Sequence, residues 1–280
     1  MDDDNTGTVS DRSTRRNPNS SRAVRQRLRS QFDGDFRGPA LGTMLCVLTV
    51  GCWHVAVVLS NLPTVVLPSP VEVGVTLVDL RWILAGDAAV TALTAGLGLA
   101  AGLAIGTILA FFMAVSRSAA AVVLPYVVAL RIAPLVAIAP LLFLWFGRGI
   151  PGKVLLVTTL TVFPITIASL DGLRSTPESY LTLLRSVGAS RSTIFLHVRL
   201  PAAAPSVFAG VKNAATLAVI GAVVAEFVTL DAGIGYRVFE TSTALQTAES
   251  YAALAVLTGL GLLFYGIPSL LERAVRTRFE

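Results

Sequence analysis

Cysteine, histidine and charge are scarce in this chain. There are two cysteines and two histidines in 280 residues. Cys46 and Cys52 lie in one apolar run, about 9 Å apart along a helix axis and on different faces, so they cannot bridge each other. No metal-ligand spacing is present, and His54 and His197 fall in separate segments without a serine or cysteine constellation; solvated or hydrogen-bonded structural roles suit both. Charged residues make up 14% of the chain and apolar ones 54%, with mean hydropathy +0.73, which excludes an ordinary soluble domain and places the chain among integral membrane proteins. The net charge of +5 does not point to nucleic acid, because the arginines sit in the N-terminal tail and in short loops around apolar runs.

GRGIPGK, Gly147 to Lys153, has the glycine and lysine spacing of a phosphate loop. The surroundings speak against it. Val154 stands where Ser or Thr would hold Mg²⁺, and PLLFLWF before it and VLLVTTLTVFPITIASL after it suit membrane helices better than a strand and an amphipathic helix. GLGLAA, Gly96 to Ala101, is likewise no dinucleotide fingerprint, since it lies inside an apolar run with no strand before it. Any ATP involved must be bound by another chain.

Residues 1–37 are rich in Asp, Asn, Ser and Arg and carry too little apolar surface to fold alone, so a disordered cytoplasmic tail is expected there. The first apolar run begins near Gly38 and continues for about twenty residues, reading as an uncleaved membrane anchor and not a secretory signal. Six spans follow from length and hydropathy, near residues 40–60, 88–114, 119–146, 153–170, 202–228 and 252–271, the fourth being the shortest. With the N-terminus inside, the cytoplasmic segments hold the eight tail arginines, then Arg117, Arg174, Arg185, Arg191, Arg199, Arg273, Arg276 and Arg278. The outer segments hold Arg81, Arg148, Lys153 and Arg237, so the positive-inside rule places both termini in the cytoplasm. The fold class is therefore an all-α integral membrane protein, with its membrane region over residues 38–280.

Local signals add detail. LPSPVE predicts a short outer helix with Ser69 as N-cap, Pro70 at its first position and Glu72 closing a capping box. Gly98, Gly102 and Gly106, four apart, put small residues on one face and predict close helix packing within or between subunits. The longest inner loop, residues 171–201, predicts helix, turn, helix, span: Thr176 and Pro177 start the first helix, Gly188 ends it, Ser190 caps the second, and Pro201 begins the fifth span. Tyr180, Leu183, Leu184 and Val187 share one face of the first helix, with Arg185 on its polar side. Such a face wants a partner groove.

In this loop the chain resembles the membrane subunits of bacterial ATP-binding-cassette importers, and among them the sulfonate, taurine and nitrate type. The superfamily signature is Glu-Ala-Ala, three residues, Gly, nine residues, Ile, one residue, Leu-Pro; Gly188, Val198, Leu200 and Pro201 keep that spacing, with Val for Ile. Thr182, Leu183 and Leu184 stand where Glu-Ala-Ala is expected, so the acidic and small residues are missing. ALRIAP with Pro140, WFGRG followed by Lys153, FPI at Phe163 to Ile165, AEF around Glu226 and GIGY at Gly233 to Tyr236 recur in the family's order. The resemblance implies a type I importer permease with a second permease copy in a homodimer. It implies two cytoplasmic ATPases carrying ATP and Mg, an extracytoplasmic substrate-binding protein, and no cofactor or catalysis on this chain. It also assigns ATPase coupling to Tyr180, Leu184, Arg185, Gly188, Ala189, Arg191, Val198, Leu200 and Pro201.

Arg131, Lys212 and Glu226 lie within or near the ends of spans, where charge is costly unless it meets a partner or water. Arg131, placed midway along the third span beside the helix-bending Pro134, either attracts an anionic solute or pairs with a carboxylate or helix end. Lys212 either snorkels to the inner surface or faces the pathway, and Glu226 either orients the GIGY loop or gates it. An ion-driven secondary transporter is the alternative, though no inverted repeat with paired broken helices is visible. A membrane-embedded enzyme is third, lacking a nucleophile and base within the spans. The solute itself is not legible, because the external binding protein does most of the selecting in such systems.

Overall fold

The computed structural model describes residues 37–60 and 63–279, and among these the chain is helical with no strand. The expectation for the N-terminal tail lies outside the described residues. The chain divides into two units at Leu59 and Ser60. Helix α1 runs Arg37–Ser60, forming the described part of the first unit up to Leu59, and the hydroxyl of Thr49 is satisfied by donating to the Leu45 carbonyl. That is how an apolar helix accommodates a threonine where water is absent.

The second unit begins with α2, Pro70–Asp79, and its predicted capping box forms: Ser69 Oγ accepts from Glu72 N–H at 3.2 Å, and Glu72 Oε2 accepts from Ser69 N–H at 2.8 Å. Then come α3 (Arg81–Val115), α4 (Arg117–Ile132), α5 (Leu135–Phe146), α6 (Ile150–Arg174), α7 (Glu178–Ser186), α8 (Arg191–Thr229), α9 (Ile234–Thr243) and α10 (Thr247–Phe279). Five of the described helices are long and apolar enough to span a membrane, and the α4–α5 pair, bent by 101°, supplies the sixth segment. The third predicted span is therefore two helices. Pro134 has no N–H to continue the ladder and holds Ala133 in extended backbone, so α4 closes on Ala133 N–H to Ala129 O and α5 restarts on the Pro134 carbonyl. Arg131 sits in the last turn of α4, beside the break in the middle of this segment.

The fourth span is not the shortest. α6 has 25 residues and is the most enclosed spanning helix, because glycines on both neighbours let their backbones reach it. Gly98, Gly102 and Gly106 of α3 face Val157, Thr161 and Ile165 of α6, and the Thr161 hydroxyl reaches the Gly98 carbonyl at 3.2 Å. Gly210 of α8 meets Pro164 and Ala168, and Gly221 meets Leu160. The predicted close packing is thus within one subunit. A methyl group on Gly106 falls 2.9 Å from Ile165 Cγ2 and 3.1 Å from the Val162 carbonyl. Gly106→Ala is expected to cost about 1–3 kcal/mol by overpacking. Gly96→Ala, with nothing within 4 Å of the added carbon, should leave the thermal unfolding midpoint in detergent unchanged or slightly raised.

The fifth span is longer than its hydropathy predicts. Nothing between Ser190 and Pro201 breaks a helix, so the second helix of the inner loop fuses with the span into one rod of 39 residues. Pro201 is absorbed by a widened turn over Phe195–Arg199, in which Leu200 N–H donates to the Phe195 carbonyl five residues back. This loosened ladder relieves the clash of a proline ring with the preceding turn. Phe195 packs edge-on against Phe111 of α3, ring centroids 5.2 Å apart.

Candidate pathway and coupling site

Three groups of side chains carry the polar chemistry of the bundle. The first lies where α8 ends. Glu226, one turn before that end, is fully buried. Its Oε2 accepts from Gly235 N–H at 2.8 Å and from the Thr91 hydroxyl at 3.1 Å, and Thr91 Oγ1 in turn accepts from Ile234 N–H at 2.9 Å. Two N–H groups in the first turn of α9 are thereby satisfied by side chains from α8 and α3. This explains GIGY. Gly233 has φ +111°, and Glu226 occupies the space a side chain there would need; Gly235 has Glu226 Oε2 and Val223 at 2.8–3.0 Å from a would-be Cβ.

Beside this knot, Lys153 in the first turn of α6 is 3% exposed and donates to Asp231 Oδ1 at 2.6 Å. Asp231 also accepts from the Thr229 hydroxyl and Ala232 N–H, each at 2.8 Å. Partial burial opposes ionisation of Asp231, but the hydrogen bonds from Lys153, Thr229 and Ala232 outweigh it and hold its carboxyl below the usual range. Lys153 is therefore an internal ion-pair partner and not a loop charge, and GRGIPGK is a helix-to-helix turn around Gly147, φ +80°. Arg237, counted above among the outer charges, pairs with Asp87 at 2.9 Å and Glu240 at 3.0 Å.

The second group surrounds the helix break. Arg131 places its guanidinium 4.8 Å from the centroid of the Phe163 ring, at a recess of about 280 Å³ that Thr159, Leu160, Asn213 and Leu217 also line. Pro134 caps the next helix and is not among the lining residues. Lys212 does not line this recess: its Nζ donates to Glu272 of α10 at 2.7 Å.

The third group is the inner hairpin. Residue Ala189 N–H donates to the Leu184 carbonyl and Gly188 N–H to the Arg185 carbonyl, the paired bonds of a Schellman motif with Gly188 at φ +82°. Leu181, which the sequence reading did not single out, is buried at 1% exposure; Tyr180 and Leu183 are 59% exposed and Val187 73%. α7 thus holds on by Leu181, with Leu184 half-buried, and leaves Tyr180, Leu183 and the following Val187 open. Arg185 pairs with Glu178 across two turns of the same helix at 2.9 Å, both exposed, while Arg191 lies in the first turn of α8 below the Ser190 cap. Val198 lies in the widened turn, with Leu200 and Pro201 directly after it, on the rod that leads to Glu226.

Sequence reasoning missed Thr91, Asp87, Asp231 and Glu272, each a partner of a residue it did single out. Their signal is weak, because one threonine or aspartate near a helix end fits many structures; only the need of a buried charge for a partner pointed toward them.

The family model described as "Binding-protein-dependent transport system inner membrane component" matches residues 102–277. The chain is 38% identical over 224 residues, 80% of its length and 91% of the relative, to a "Probable ABC transporter permease protein" of Haemophilus influenzae. It is 31% identical to the formylaminopyrimidine transport permease protein ThiX of Halalkalibacterium halodurans, covering 82% of this chain and 92% of that one. It is 35% identical to the riboflavin transport system permease protein RibX of Chloroflexus aurantiacus, covering 85% and 90%.

Proposed function

The chain belongs to the family of binding-protein-dependent transport system inner membrane components and is a multi-pass permease subunit of an ABC importer, and from that premise we propose how its parts divide the work. Members of this family are membrane subunits without catalysis of their own, and they work with an ATPase and a substrate-binding protein. On our reading two copies of this chain close one pathway, and two cytoplasmic ATPases, which carry ATP and Mg, dock on the two α7 helices. The substrate-binding protein delivers a small solute from the other side. Both termini are cytoplasmic by the distribution of arginine. The observation that supports this most is the open face of Tyr180, Leu183 and Val187 on a helix tied down by Leu181 and joined through Gly188 to a rod of 39 residues. At 1.5 Å per residue that rod is roughly 58 Å long, about twice the hydrocarbon thickness. It can therefore carry a displacement at the inner hairpin to the Glu226 knot as a rigid body.

The test is reconstitution of the chain with its ATPase and binding protein in proteoliposomes. Uptake should require ATP, and Leu183→Glu, which puts a charge on the docking face, should lower recovery of the ATPase with the permease at least tenfold. Uptake driven by an ion gradient in the absence of the ATPase would establish the secondary-transporter reading instead.

A further inference from the structure

Both lysines of the spans are neutralised by carboxylates, whereas Arg131 is exposed at the end of α4. Lys153 has Asp231 and Lys212 has Glu272, yet among the described residues no carboxylate pairs with Arg131 and no hydrogen bond uses its guanidinium. Two interactions hold it nonetheless, the face of Phe163 and the negative end of α4, in whose last turn it stands. Neither consumes an N–H group. A guanidinium has five donors in one plane, so all of them remain for a ligand.

The rest of the recess narrows what that ligand is. Leu160 and Leu217 give it apolar walls, while the Asn213 amide offers both a donor and an acceptor. The Thr159 hydroxyl already donates to the Leu155 carbonyl, so it can only accept. At about 280 Å³ the space sits at the lower limit of small-molecule pockets. A tetrahedral oxyanion could use the guanidinium fork and the Asn213 amide but has no use for the Phe163 face. A planar ring with acceptors and donors on its edge uses the guanidinium plane, the aromatic face and the amide together. Resting on the permease reading above, we propose that this recess is a solute-binding site in the pathway, and that it takes a small planar heteroaromatic solute, gripped by Arg131 and Phe163 and oriented by Asn213.

The experiment uses the full chain with its ATPase in nanodiscs, without binding protein, and saturation-transfer NMR with two probes: cytosine, a neutral planar heterocycle, and ethanesulfonate, a tetrahedral anion of similar size. Cytosine should show transfer that falls at least tenfold in Phe163→Leu and in Arg131→Lys, and that survives in Phe163→Tyr, which keeps the ring. Ethanesulfonate should neither depend on Phe163 nor displace cytosine. Copurification with the ATPase checks that each variant assembles; where Arg131→Lys does not, the Phe163→Leu and Phe163→Tyr pair decides. Absence of cytosine transfer, transfer indifferent to Phe163, or displacement by ethanesulfonate overturns the assignment. ATP-driven uptake by the wild-type complex, measured in the proteoliposomes above, shows separately whether the permease reading stands.

Discussion

Asp231→Ala is expected to destabilise the protein far more than Lys153→Met, although the two changes remove the same ion pair. The asymmetry comes from burial, since the Lys153 side chain is 3% exposed and that of Asp231 is 47% exposed. Taking away Asp231 strands an ammonium group inside the bundle and also leaves the Thr229 hydroxyl and Ala232 N–H without their acceptor. Breaking a buried pair from the side that leaves an uncompensated charge costs about 3–5 kcal/mol. Taking away Lys153 leaves a carboxylate that water can reach and that keeps two of its hydrogen bonds, while methionine fills the volume. That change should cost about 1 kcal/mol or less. In thermal unfolding of the detergent-solubilised protein the midpoint should fall by about 10 °C for Asp231→Ala and by a few degrees at most for Lys153→Met. Equal shifts would show that the pair acts as a surface bridge. The pH dependence follows in sign: the folded-state pKa of Asp231 is lowered, so its contribution is complete above the ordinary carboxylate range and is lost only as pH falls through the folded value. Stability between pH 5 and 8 should not change through this group.

The Lys153 pair also shows where reading the sequence stopped short. Lys153 could be dismissed as a phosphate-loop lysine from Val154 and the flanking apolar runs alone, but as a loop cation it had no reason to be buried. Its carboxylate lies 78 positions away and comes near only once α6 and the end of α8 pack together. Separations of 135 and 60 positions likewise hide Thr91 from Glu226 and Glu272 from Lys212. What was legible was local. The capping box of Ser69 and Glu72, the glycine face of α3 and the left-handed Gly188 depend on residues within a turn or two, and each forms as expected. The break at Pro134 was half legible: a proline signals a bend, but whether a helix kinks or ends depends on whether the preceding residue is driven out of helical backbone, as Ala133 is here. The fusion of the inner loop with the fifth span was not legible, because a polar segment such as ASRSTIFLHVR signals a boundary of hydropathy and not of helix.

Transport should be lost in Gly188→Val while the protein still inserts and folds. Gly188 has φ +82°, and a Cβ there would meet nothing within 4 Å, so the cost is conformational and not steric. Left-handed backbone costs an ordinary residue roughly 1–2 kcal/mol, and a β-branched one more. The chain can escape that cost only by giving up the two hydrogen bonds, from Gly188 and Ala189, that close α7. Releasing them re-aims α7 and its open face of Tyr180, Leu183 and Val187, while Leu181 and the rod beyond Arg191 lie outside the turn. A loss of about 1.4 kcal/mol or more at the docked hairpin is tenfold or more in ATPase affinity. Gly188→Asn is the decisive control, since asparagine tolerates left-handed backbone and should keep most of the uptake. Gly188→Val should be recovered from membranes in wild-type yield, with its unfolding midpoint lowered by only a few degrees, but with weakened ATPase recovery and without solute-stimulated hydrolysis or uptake. An intact complex with normal stimulation in Gly188→Val would remove the hairpin from the coupling path. Equal loss in Gly188→Asn and Gly188→Val would show that a glycine is needed there for close approach of the partner, and not for its backbone angle.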